Sequence, residues 1–119
     1  MEVGDIIEEQ ARLNGFDVQV VGEGQVAKFL ISGELDMATT PLLEEHLAAV
    51  EAHGSSTIVI DLAPLTFMDS SGLYALLRAA RRSEERGTRL VLANCPDAVR
   101  GIFELTGTAG LLAGAPSPR

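Results

Sequence analysis

Residues 67–73 read Phe-Met-Asp-Ser-Ser-Gly-Leu, a carboxylate and two hydroxyls held between apolar residues. Three kinds of chemistry fit that grouping. Ser70 can cap a helix, its oxygen accepting a free backbone N–H for about 1 kcal/mol, with Asp69 a favourable charge beside the positive end of the helix dipole. It can be a nucleophile. It can be a surface hydroxyl that is covalently modified. The nucleophile reading finds little around it. A hydrolase turn requires Gly-x-Ser-x-Gly, yet Met68 stands two before Ser70 and Asp69 two before Ser71. The histidines, His46 and His53, are expected to face solvent on or just after an earlier helix, too sparse for a zinc site or a catalytic base. No phosphate-binding glycine loop occurs. No catalytic residue, cofactor or metal is therefore expected. Modification suits the position better. A phosphate at a helix start meets free N–H groups. It adds about 1.5 to 2 negative charges at pH 7 beside Asp69, enough to alter a protein contact without refolding the domain.

The elements that must position this loop follow from the hydrophobic pattern. Residues 1–15 form a mixed acidic stretch with no firm structure expected. Residues 16–21 and 25–32, joined by Gly-Glu-Gly, read as a β-hairpin. A helix follows from Thr40 and Pro41, with Thr40 as its cap and Leu43, Leu47 and Val50 on one face. Residues 57–62 and 88–94 are nearly continuous apolar runs, expected to be strands covered on both faces. Residues 63–71 read as a loop, and a helix runs from about 71 to 86, stopped by Gly87. A short helix with Val99, Ile102 and Phe103 inward follows Pro96. Residues 108–119 read as a small, Pro-containing tail. Helices alternating with buried strands imply an α/β domain with a mostly parallel sheet and an antiparallel edge. Such sheets place their sites at the carboxyl ends of strands, where residues 67–73 fall.

Composition narrows the function classes. The chain has 119 residues, enough for one domain, and 46% of them are apolar, enough for a core. Its net charge of −8 opposes binding to nucleic acid or to anionic lipid, both of which need Lys and Arg, and fits either a basic partner surface or a surface that simply keeps the protein in solution. Cys95 is the single cysteine, so no internal disulfide forms, and its place after an apolar run suggests a packed, unreactive thiol. The first ten residues lack the basic and apolar regions of a signal peptide, and no run approaches a membrane span, so a cytoplasmic protein is expected.

Several stretches together resemble STAS domains, and in particular the anti-sigma factor antagonists of bacterial partner switching. They are residues 31–36 (ISGELD), 59–73 (VIDLAPLTFMDSSGL), the helix ending in glycine before 90–96 (LVLANCP), and 102–107 (IFELTG). The likeness covers about residues 16–107, with its motifs in order. It implies a mixed sheet of four to five strands with helices packed mainly on one face. As domain bounds it suggests an N-terminal extension over 1–15, one STAS domain over 16–112 and a flexible tail over 113–119. It implies a cycle in which the unmodified protein binds an anti-sigma factor that is also a serine kinase, so that a sigma factor is freed. Phosphorylation breaks the complex, and a PP2C-type phosphatase restores it. The residue after the motif aspartate, here Ser70, is the implied phosphorylation site, and Asp69, Ser71 and Gly72 complete the loop. Gly33, Glu34, Leu35 and Asp36 are implied to lie beside it as further contacts. Here the chain departs from the family pattern after residue 112, where a clearer final strand and helix usually stand. The alternative within the family is a STAS module of another assembly, stressosome-like or transporter-associated. The short single domain favours the antagonist.

Overall fold

The computed structural model describes residues 6–113. It opens on a hairpin that the sequence reading did not anticipate. Strand β1 (Ile6–Leu13) pairs antiparallel with β2 (Phe16–Glu23) from Ile6↔Glu23 to Leu13↔Phe16. Asn14 and Gly15, with φ of 48° and 81°, make the connection. A type I′ hairpin turn needs left-handed backbone at both central positions, which Asn-Gly supplies. The expectation of no structure over residues 1–15 is thus corrected from residue 6 onward, and residues 1–5 lie outside the described part. The signal was present in the sequence: Asn-Gly ahead of the alternating Phe16, Val18 and Val20.

β2 turns back into β3 (Val26–Leu35) as the expected hairpin. Helix α1 (Thr40–His53) then crosses to β4 (Thr57–Asp61), which lies parallel to the first half of β3. A short strand, β5 (Leu65–Met68), pairs with the last residues of β3, Gly33↔Leu65 and Leu35↔Met68. Gly33 also pairs with Phe16, so β4 and β5 share the edge of β3 opposite β2. Helix α2 (Ser70–Arg86), strand β6 (Arg89–Ala93), helix α3 (Asp97–Leu105) and a 3-10 turn (Ala109–Leu111) complete the order. The six-stranded sheet runs β1-β2-β3-β4-β6 with β5 on β3. The anticipated four to five strands become six because residues 65–68, read as loop, extend the ladder beside β3, and because β1 covers the edge of β2.

The helices bank against one face, as expected. Phe16, Val18, Val20, Phe29, Ile31, Ile60 and Leu92 point into that layer and meet Leu43 and Leu47 of α1, Leu73 and Leu76 of α2, and Phe103 of α3 in one core. The other face is open. Gln19, Val21, Lys28 and Leu30 are exposed, and Thr57, Val59 and Asp61 are half-exposed. This corrects the reading of residues 57–62 and 88–94 as strands covered on both faces. An apolar run can also fit a strand with one solvated face when the outward residues are β-branched.

His46 also departs from expectation. Its Nδ1–H donates to the Leu42 carbonyl at 2.9 Å, and its Nε2 lies 3.5 Å from Glu9 Oε1 on β1, with the side chain mostly buried. It ties α1 to the first strand rather than facing water, whereas His53 is exposed. At the other end, Leu112 is buried and bridges to Leu92, and the Ala113 N–H donates to the Leu92 carbonyl at 2.8 Å. The region read as a tail therefore docks on β6 as far as residue 113, and residues 114–119 lie outside the described part.

Candidate functional site

Two loops meet at the carboxyl end of β3 and β5. The first follows the end of β3, where Gly33, with φ of 88°, sits so that an added Cβ would lie 1.8 Å from the Gly15 carbonyl oxygen. Only glycine tolerates both the backbone angle and the close approach. Asp36 then opens the turn that leads into α1. Its Oδ1 accepts the N–H groups of Ala38 at 3.0 Å and Thr39 at 3.1 Å. The buried Thr39 hydroxyl donates to the Glu34 carbonyl at 2.8 Å and accepts the Asp36 N–H at 2.9 Å. The Thr40 hydroxyl donates to the Asp36 carbonyl. Thr39, not Thr40, takes the cap position of α1, with no side-chain cap hydrogen bond; the Asp36 carboxylate holds the turn ahead of the helix, and the Thr40 N–H donates to the Asp36 backbone carbonyl at 2.8 Å.

The second loop leaves β5 at Met68 and starts α2. Asp69 is its cap: Oδ1 accepts the Gly72 N–H at 3.1 Å. The capping role considered for Ser70 therefore belongs to Asp69. Ser70 is the first helical residue; it is exposed, and its hydroxyl has no hydrogen-bond partner among the described residues. The loops touch directly. The Asp69 N–H donates to the Leu35 carbonyl at 3.2 Å. A Cβ on Gly72 would fall 2.8 Å from both that oxygen and the Leu35 side chain, so glycine is needed for the contact.

The residues singled out in sequence thus come together but divide in role. Ser70 and Glu34 are exposed, and Asp69, Ser71, Asp36 and Gly33 are half-exposed. Leu35 and Gly72 are buried and hold the two loops against each other. Sequence reasoning missed Met37 and Tyr74, which stand 76% and 54% exposed. With Ser71 they line a cavity of about 270 Å³ between the first turns of α1 and α2. An isolated exposed Met or Tyr gives no signal in a sequence; only the meeting of two helices pairs them. No group of metal-ligating side chains occurs among the described residues. None of the described helices is long and apolar enough to cross a membrane.

The fold and this loop define the class. The STAS domain pattern matches residues 17–117, and the chain belongs to that family. It is 26% identical over 96 residues to the anti-sigma-B factor antagonist of Staphylococcus aureus (strain NCTC 8325 / PS 47), covering 81% of this chain and 89% of that protein. A solved anti-sigma factor antagonist from Mycobacterium paratuberculosis superposes with a TM-score of 0.67 at 27% identity, over 94% of this chain and 86% of the other. The anti-sigma factor antagonist SpoIIAA in its unphosphorylated form shares the fold, with a TM-score of 0.68 at 22% identity over 92% and 89% of the two chains.

Proposed function

We propose that this chain is an anti-sigma factor antagonist that acts by binding in the cytoplasm, not by catalysis, and that Ser70 is its switch. With Ser70 unmodified it binds an anti-sigma factor that is also a serine kinase, and a sigma factor is released. Phosphorylation of Ser70 by that kinase ends the complex, and a PP2C-type phosphatase returns the protein to its binding form. The names carried by its relatives support the antagonist role. The observation that carries the switch is the division of labour at the start of α2. Asp69 caps the helix, so the exposed Ser70 hydroxyl is free of structural work. A phosphate there leaves the fold intact and falls wholly on the docking surface. A penalty of about 2.8 kcal/mol for desolvating that added charge corresponds to a hundredfold loss of affinity.

The test is to incubate the protein with ATP and the cognate anti-sigma kinase and to map phosphate by mass spectrometry. Phosphate on Ser70 is expected; phosphate elsewhere with Ser70 untouched overturns the assignment. Ser70→Ala should block modification and keep binding. Ser70→Asp should weaken binding, since a carboxylate supplies part of the charge.

A further inference from the structure

We propose that the outer face of α2, from Ser70 to the edge of β6, docks an amphipathic helix of the anti-sigma factor whose apolar residues are flanked by carboxylates. The inference rests on the functional reading above and deepens it by naming the chemistry of the partner segment. Ser70, Tyr74, Leu77 and Arg81 follow one another at helical spacings of three and four, so they lie along one line of α2. Ser70, Tyr74 and Arg81 are exposed, and Leu77 is half-exposed. Tyr74, Leu77, Arg78 and Arg81 line a depression of about 340 Å³. It adjoins a groove of about 540 Å³ that shares Leu77 and Arg81 and reaches β6 and the 3-10 turn. Ala80, Leu90 and Leu111 supply the apolar part of that groove. Its hydroxyls, Ser83 and Thr88, are bonded to each other at 2.7 Å and ask nothing of an occupant.

The charges decide what must flank the apolar residues of the occupant. Toward α1, Glu44 pairs with Arg78, and Glu51 pairs with Arg82 and Arg86. Arg81, on the line of Ser70, has no ion pair among the described residues, and neither has Arg89 at the groove. Among the described residues the groove sets one carboxylate, Glu84, against these two guanidinium groups. The whole-chain charge of −8 would favour a basic partner. At contact distance the local cations decide instead, because salt screens charges beyond about 8 Å. An apolar groove bordered by arginines recognises an amphipathic helix with acidic flanks, and Tyr and Arg are frequent anchors of protein interfaces. Ser70 heads this line, one turn of about 5.4 Å before Tyr74. A phosphate there sets about 1.5 to 2 negative charges against the carboxylates of the occupant. The switch then works by repulsion as well as by desolvation.

The experiment measures, by titration calorimetry, the affinity of the unmodified protein for the anti-sigma kinase that phosphorylates it in the assay above. Arg81→Glu is expected to weaken binding about tenfold or more with an unchanged melting temperature, since the side chain is exposed. Arg81→Lys, which keeps the charge, should lose less. Leu111→Ala, at a residue 45% exposed, should also weaken binding. Lys28→Glu makes the same change of charge on the open sheet face and should stay within about twofold of wild type. Added salt should weaken wild-type binding more than that of Arg81→Glu. If wild type binds and is phosphorylated but Arg81→Glu binds as well or better, no acidic segment docks there, and the Ser70 switch stands alone. If Lys28→Glu weakens binding as much as Arg81→Glu, overall charge and not this groove is responsible, and the inference falls. If the protein alone sediments as a dimer that Leu111→Ala dissociates, a second copy is the occupant and the inference falls. If wild type neither binds nor is phosphorylated, the functional reading falls and this inference with it.

Discussion

At the scale of single residues, the adjacent Asp69 and Ser70 do different work, and stability measurements separate them. Asp69→Ala removes the cap of α2 and should cost about 1 kcal/mol in urea unfolding. Ser70→Ala should stay within about 0.5 kcal/mol of wild type, because its hydroxyl holds nothing in place. Gly33→Ala places a methyl on the Gly15 carbonyl at a left-handed backbone angle. It should cost roughly 3 kcal/mol, and the loss should be visible as a lowered urea midpoint. Cys95 supplies a pH-dependent case. Burial pushes its thiol above the usual range; the Arg100 cation pulls it partly back, and Asp97 and Glu104 push it further up. Folded protein therefore keeps the thiol proton at pH values where the unfolded chain releases it. Native Cys95 should react with iodoacetamide more slowly than a free thiol at the same pH. Stability should also fall as pH rises through the ordinary thiol range, and Cys95→Ser should remove that part of the decline.

At the scale of elements, β1 has the most to lose. It is the edge strand that covers β2 along eight residue pairs, and it carries Glu9 toward His46. Deleting residues 1–13 would expose the backbone edge of a strand whose sequence alternates Phe16, Val18 and Val20. A bare edge of that kind pairs with other chains. The truncated protein should melt roughly 10 °C lower, by the usual scaling of stability to melting temperature, and should scatter light on standing where the full chain does not. β5 makes the complementary point. It is four residues long, and its value lies in bringing Asp69 to the Leu35 carbonyl, so that the two loops of the site form one surface.

At the scale of the whole molecule, one helical layer on one sheet produces a flat body of 44 × 38 × 20 Å. Its open sheet face carries Val21 and Leu30 into solvent, 53% and 37% exposed. A net charge of −8 opposes association of such faces between copies. That protection vanishes near the isoelectric point of about 4.6. Turbidity measured from pH 3.5 to 8 should accordingly peak close to pH 4.6, and a peak elsewhere would show that charge is not what keeps the protein apart.

The sequence by itself determined the hairpin of β2 and β3, the three helices, the strands β4 and β6, and the place of Ser70 at a strand-to-helix passage. These follow from local periods, breakers and short motifs, which neighbouring residues specify. Asn14-Gly15 also specified a hairpin, and reading it would have revealed β1. Only the tertiary structure decided the rest: that Asp69 caps while Ser70 stands free, that Leu35 and Gly72 lie inside the joint, that residues 65–68 become a strand, that His46 is enclosed, and that Met37 meets Tyr74. Each of these depends on groups distant in the chain, from β5 registering against β3 to the first turns of two helices lying side by side. A sequence records which groups are available, whereas burial and cross-element contact arise only when the layers pack.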